Sequence, residues 1–243
     1  MEAGITIIPD VHGRSFWRDA VEAAPEGSPI VFLGDYLDPY PQEGIAPEES
    51  TRVLKEIIAF KKERLDNVTL LLGNHDLGYL DPDICFCRRD HLGAWENGKI
   101  LEENLDLFDI TRKLSFGRVK VLFSHAGIGV SWTERHRNLF RREDFDPGTL
   151  NTMLHEPALR PALYGILSEA SPFRGGLDPT GSPVWADLDE YLSGEELLPG
   201  YFHLFGHTIL EGGPVTVGNE GVCLDCRRAF VFTEDPLTLA PLP

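Results

Sequence analysis

Short apolar runs alternate with amphipathic stretches through the first third of the chain, and the alternation predicts its elements. Residues 5–9 read as a strand and 15–24 as a helix. Residues 30–33 are a second predicted strand, and a Pro- and Gly-rich loop over 38–47 leads to a helix that Glu48 or Glu49 opens. Val53, Leu54, Ile57, Ile58 and Leu65 recur along it at helical spacing. Residues 68–72 are the third predicted strand. Strands alternating with helices imply parallel pairing, and their nearly continuous apolar character fits a sheet buried on both faces.

The pattern then becomes less regular. A helix over 98–108, a strand over 119–123 and a helix over 133–140 are expected. Residues 142–182 are rich in Pro and Gly without a clear period, and read as a helical or looped insertion within a single domain over 1–243. Strands return at 201–205, 214–217, 222–225 and 229–232, with turns at Gly212-Gly213 and Gly218-Asn219. Consecutive short strands with tight turns suggest antiparallel pairs, hence a second, mixed sheet.

Composition narrows the function. The chain has 243 residues, 42% apolar and 25% charged, enough for a sizeable core. Its 22 basic and 39 acidic side chains give a formal charge of −17, which argues against a nucleic-acid surface or docking on anionic lipid. No apolar run approaches the roughly 20 residues of a membrane span. The N-terminal residues read as a strand rather than a signal peptide, so a cytoplasmic location is expected. Cys85 and Cys87 are two apart, and Cys223 and Cys226 form a C-x-x-C that could suggest zinc or redox chemistry; on a strand side chains three apart face opposite sides, so chelation there would need a turn, and all four are expected to be ordinary thiols. Trp17, Trp95 and Trp132 read as core residues.

The candidate chemistry lies just past the strands. Asp10 and His12 follow the first, and Asp35 and Asp38 the second, within Gly34-Asp35-Tyr36-Leu37-Asp38. Asn74, His75 and Asp76 follow the third, His125 the strand at 119–123, and His207 the strand at 201–205. In parallel sheets the carboxyl ends of the strands share one edge, where ligands bind. One such Asp or His is an ordinary turn former or cap; five strand ends in order are a pattern that core packing does not call for. Carboxylates, an amide oxygen and imidazoles together suit borderline divalent cations such as manganese, iron or zinc rather than calcium.

These segments, Asp10-Val11-His12-Gly13, Gly34-Asp35-Tyr36-Leu37-Asp38, Gly73-Asn74-His75-Asp76, His125-Ala126-Gly127 and Gly206-His207-Thr208, resemble the blocks of the calcineurin-like metallophosphoesterase superfamily. The resemblance is greatest to the branch of Ser/Thr phosphoprotein phosphatases and symmetrical diadenosine tetraphosphatases. It implies a metallo-dependent phosphatase-like α/β fold, a four-layer α-β-β-α sandwich with two mixed β-sheets. It also implies two divalent metal ions, manganese foremost, with iron and zinc as alternatives. Asp10 and His12 would hold the first, Asp35 would bridge both, and Asn74, His125 and His207 would complete the second. Two cations roughly 3.5–4 Å apart need such a shared anionic oxygen to lessen their repulsion. A hydroxide between them would attack phosphorus in line.

The resemblance further implies that His75 is the general acid and Asp38 the carboxylate that orients it; the bland alternative makes Asp38 a loop cap before Pro39. Thr208 stands where much of the superfamily has a second histidine, which fits the phosphoprotein-phosphatase-like branch. Pro39 departs from that branch, which places there an arginine that grips the phosphate. Arg174, in Pro172-Phe173-Arg174-Gly175-Gly176, and then Arg14 are the candidate substitutes, each weighed against an ordinary surface charge. The 39–47 loop reads equally as a lid presenting Tyr36 and Tyr40 to substrate or as a plain connector. Val184-Trp185-Ala186-Asp187 resembles a short segment found in some relatives. The expected function is a metallophosphatase acting on a phosphomonoester, a small molecule or a Ser/Thr phosphoprotein, without an obligate partner. Hydrolysis of dinucleoside polyphosphates or cyclic phosphodiesters is the enzymatic alternative, and a metal-binding regulatory protein on the same fold the non-enzymatic one.

Overall fold

The computed structural model describes residues 4–81, 87–116, 118–140, 145–233 and 238–242. In chain order its first elements are β1 (Ile5–Ile8), α1 (Phe16–Ala23), β2 (Ile30–Phe32), α2 (Pro47–Glu63), β3 (Val68–Leu71), α3 (Asn74–Leu80), α4 (Ala94–Glu103) and β4 (Phe108–Asp109). Next come β5 (Thr111–Phe116), β6 (Val119–Ser124), α5 (Val130–Arg135), α6 (Arg137–Phe140), α7 (Gly148–His155), α8 (Arg160–Leu167) and α9 (Leu188–Leu192). The strands β7 (Phe202–Phe205), β8 (Val215–Val217), β9 (Gly221–Cys223), β10 (Phe230–Thr233) and β11 (Thr238–Pro241) complete the order. The chain divides into two compact units, Met1–Phe108 with Arg227–Pro243, and Asp109–Cys226. The fold is α/β with two mixed sheets, one built on each unit, and helices packed on them, the class the sequence predicts.

In the first unit the sheet order is β11-β10-β1-β2-β3-β4. β1, β2 and β3 are parallel neighbours, with Ile7 opposite Val31 and Val31 opposite Thr69; β10 runs antiparallel to β1 and β11 to β10. Ile5, Ile7, Ile8, Val31, Phe32, Leu70 and Leu71 are buried, as strands covered on both faces require. α1 lays Trp17 against Phe32 and Phe60, ring centroids 6.0 and 5.9 Å away. α2 begins at Pro47, one residue before the predicted glutamates, because proline suits the first helical position. It buries Val53, Leu54, Ile57 and Ile58, but Leu65 lies past its end and is 57% exposed. The helix expected over 98–108 is α4, four residues earlier, because Phe108 belongs to a strand. Trp95, on α4, is 77% exposed rather than core.

The second unit has the sheet order β5-β6-β7-β9-β8. β6, β7 and β9 are parallel neighbours, while β5–β6 and β8–β9 pair antiparallel. The tail strands thus form one of the expected hairpins, β8–β9, whereas β10 leaves for the other sheet. The helix expected over 133–140 is two short helices, α5 and α6, with His136 between them. The insertion carries α7 and α8, which bury Leu150, Met153, Leu154, Leu163 and Leu167. Ala126, Ala186, Leu188, Tyr191, Leu197, Phe205, Val217 and Cys223 pack as a core cluster. Among the described residues no helix is long and apolar enough to cross a membrane.

Candidate active site

In the first unit the three parallel strands deliver their C-terminal loops to one edge. The loops after β1 and β2 are stitched together: Val11 and His12 both donate backbone N–H to Asp35 O, at 3.1 and 2.7 Å, and Gly13 donates to Tyr36 O at 2.9 Å. Asp76 ties in the loop after β3. Its buried carboxylate accepts N–H from Asp35 (2.8 Å), Tyr36 (3.0 Å) and Gly73 (2.9 Å). Sequence reasoning gave Asp76 no role; its position directly after the Asn-His pair was the available signal. Gly73 is fixed by space: a Cβ there would run into the Asp35 carboxylate.

Asp10, His12, Asp35, Asp38, Asn74 and His75 are all buried along this edge. His12 Nδ1 lies 2.7 Å from Leu37 O, and since a carbonyl can only accept, Nδ1 carries the proton and Nε2 keeps a lone pair. That Nε2 is 3.6 Å from Asp35 Oδ2. Burial pushes the His12 pKa down to about 3, Asp35 only partly opposing it, so the ring is neutral, the form a metal binds. Asp35 Oδ1 accepts the His75 N–H at 3.0 Å. His12, Asp35 and His75 bring metal-competent atoms within 4.8 Å of one another, and of these the neutral His12 ring and the Asp35 carboxylate suit a borderline divalent cation.

His75 Nδ1 lies 2.8 Å from Asp38 Oδ2. Asp38 Oδ1 accepts from the Tyr79 hydroxyl (2.5 Å) and the Asp90 N–H (3.0 Å), so three donors converge on one carboxylate. Asp38 is therefore more than a loop cap. Burial alone would lower the His75 pKa, but the charge of Asp35 and the hydrogen bonds of Asp38 and Cys87 outweigh it and hold the ring well above its usual value. A protonated ring has no lone pair for a metal, which sets His75 apart from His12. Tyr36 is wholly buried and its hydroxyl donates to Leu71 O at 2.9 Å, so the expected substrate contact fails: the ring packs beside Phe32 and Phe108 and has no open face. Tyr40 is the loop tyrosine left half-buried, its ring edge-on to His12 at 5.2 Å.

Arg14 is drawn into an ion pair with Glu43 (2.9 Å) and donates to Asp10 O at 3.1 Å. Sequence reasoning also missed Tyr79 and Arg88. The Arg88 guanidinium carbon lies 3.6 Å from the Tyr40 ring centroid, and Nη2 donates to Asp38 O at 2.7 Å.

In the second unit the parallel neighbours β6 and β7 end at His125 and His207. Gly206 N–H donates to His125 O at 2.7 Å, joining the two loops. Both rings are buried, with His125 Nε2 3.1 Å from His207 Nδ1. Two nitrogens about 2.1 Å from one zinc-like cation, at tetrahedral to right angles, would stand roughly 3.0–3.4 Å apart. The spacing therefore suits a shared metal. Trp185 packs edge-on to His207 at 5.8 Å. Thr208 Oγ1 accepts from Leu188 N–H (3.1 Å) and Arg174 Nη2 (2.8 Å), a fastening role. Arg174 Nε is paired with Asp187 at 2.6 Å, so this candidate phosphate ligand is already engaged. Cys223 is buried and donates to Gly206 O; Cys223, Cys226 and Cys87 form no disulfide among the described residues, and Cys85 lies outside them. No cysteine joins a metal-competent group among the described residues.

No match is found among curated proteins. The chain is similar to the solved structure of a cold-active protein-tyrosine phosphatase of the psychrophile Shewanella sp., with TM-score 0.58 and 16% identity over 100% of this chain and 81% of that one. A second structure, titled as a cold-active protein tyrosine phosphatase, aligns with TM-score 0.61 and 15% identity over 99% and 79%. At such identities the likeness is one of fold. The model of the family described as calcineurin-like phosphoesterase matches residues 4–210, a span that includes every strand-end group described above, and the chain belongs to that family.

Proposed function

We propose that the chain is a phosphomonoesterase that uses two divalent metal ions, held by Asp10, His12, Asp35, Asn74, His125 and His207. The reading of these six as one set is supported by the family match, which runs over residues 4–210 and takes in all of them. When bound, such a pair of cations supplies the positive charge that draws in phosphoryl oxygens and acidifies an attacking water. Manganese, iron or zinc all suit the ligands.

The observation that carries the catalytic reading is the His75–Asp38 pair at 2.8 Å. With Nδ1 committed to Asp38, His75 presents Nε2–H as a proton donor. As the bond from phosphorus to the leaving oxygen breaks and one to a water oxygen forms, His75 gives that proton to the leaving oxygen. Asp38 keeps the ring oriented and stabilises its charged form, and Tyr79 and the Asp90 N–H hold Asp38 in turn. Thr208 in place of a second histidine favours the phosphoprotein-phosphatase-like branch, with a phosphorylated small molecule or protein as substrate.

The test is leaving-group dependence. His75→Ala should slow hydrolysis of phenyl phosphate on the order of 10²-fold or more, yet spare dinitrophenyl phosphate, whose leaving group needs no proton. Equal loss on both esters would remove His75 from the acid role. Faster turnover of a bis-ester than a mono-ester by the unaltered protein would move the substrate class to diesters.

A further inference from the structure

Pro39 stands where the branch the chain resembles most has an arginine directly after the second aspartate. We propose that Arg88 replaces it and binds the substrate phosphate, an inference that rests on the phosphatase reading above.

Arg88 and Asp90 lie against the Asp38 loop. Two bonds fasten them there: Asp90 N–H to Asp38 Oδ1 at 3.0 Å and Arg88 Nη2 to Asp38 O at 2.7 Å. The guanidinium is thereby anchored at the residue preceding Pro39, although it comes from far along the chain. Its carbon sits 3.6 Å from the centroid of the Tyr40 ring, whose edge meets the His12 ring at 5.2 Å. One aromatic ring therefore separates the cation from a metal-site histidine. Stacking and a single carbonyl contact use one face and one N–H, and leave donors of the planar fork for two phosphate oxygens.

The other two candidate arginines are spent. Glu43 neutralises Arg14 and Asp187 neutralises Arg174, each within 2.9 Å. Arg88 is exposed, and among the described residues no carboxylate pairs with it. On a protein of net charge −17, an uncompensated guanidinium beside the site is a strong local attraction for a dianion.

The experiment compares metal-loaded wild type, Arg88→Ala, Arg88→Lys and Arg174→Ala, using p-nitrophenyl phosphate turnover and inhibition by inorganic phosphate. Arg88→Ala should weaken phosphate inhibition and raise KM roughly 10- to 100-fold, the worth of one charge-assisted pair, with bound metal unchanged and the melting midpoint lowered by no more than about 5 °C for the lost bond and stack. Lysine should recover only part, because a point charge lacks the fork. The inference is overturned if Arg88→Ala keeps KM and phosphate inhibition within about twofold while wild type is active, or if Arg174→Ala carries the loss instead. A wild type that neither turns over the ester nor binds phosphate overturns the phosphatase reading itself.

Discussion

His12, Asp35, Asp38 and His207 adopt left-handed backbone, with φ of 46°, 52°, 59° and 68°; Arg227 is the other non-glycine residue to do so among the described residues. Asp and His tolerate this region better than most residues, yet it costs about 1 kcal/mol or more at each. The strain is concentrated where strands give way to the loops that carry the candidate ligands, and it aims their side chains. At this scale Asp38→Asn should lower kcat about 10²-fold and leave metal content intact. An unchanged kcat would return Asp38 to a capping role. Tyr79→Phe removes one of the three donors on Asp38 and should cost about tenfold in kcat, with KM nearly constant. Gly73→Ala puts a methyl against the Asp35 carboxylate and should weaken metal binding roughly 10- to 100-fold, measured by titration of the metal-stripped protein. Unaltered affinity would show that Asp35 is not held where Gly73 permits.

At the scale of elements, the buried parallel strands were the legible part, because burial on both faces writes itself as an apolar run. β1, β2, β3, β6 and β7 lie within a residue or so of the sequence expectation, and with them the aspartates and histidines that follow. β5, Thr-Arg-Lys-Leu-Ser-Phe, escaped notice because it is an edge strand carrying charges. α3 escaped because seven largely buried residues show no amphipathic period. The partners of Asp38 were illegible for another reason: Tyr79 and Asp90 meet it from 41 and 52 residues away, a closeness only the tertiary fold creates. β7 also carries a testable pH dependence. Burial lowers the His203 pKa from 6.5 to about 4, the Leu198 carbonyl only partly opposing it. The unfolded chain then binds more protons between those values, so stability falls as pH drops from 6.5 toward 4 and levels off below. The contribution is about 3 kcal/mol. Urea unfolding of His203→Gln should show a shallower loss between pH 7 and 4.5 than wild type; parallel curves would exclude His203 as a source.

For the whole molecule, net charge and the proposed metals carry the testable expectations. The net charge of −17 was readable at once, and it makes the placement of each free cation informative. If the native protein alone binds the metals, each site saturated at about 100 times its Kd adds about 2.7 kcal/mol, or some 5–10 °C in melting midpoint per site, which a chelator should reverse. No shift on chelation would mean that no metal supports the fold. The central claim is tested most directly by counting bound metal and measuring p-nitrophenyl phosphate hydrolysis in wild type and Asp35→Asn. The account predicts about two divalent cations per chain, turnover abolished by chelation, and a loss of metal together with at least about 10³-fold in rate in the variant. Metal bound in wild type without turnover of any phosphate ester, or turnover that survives Asp35→Asn, would contradict it.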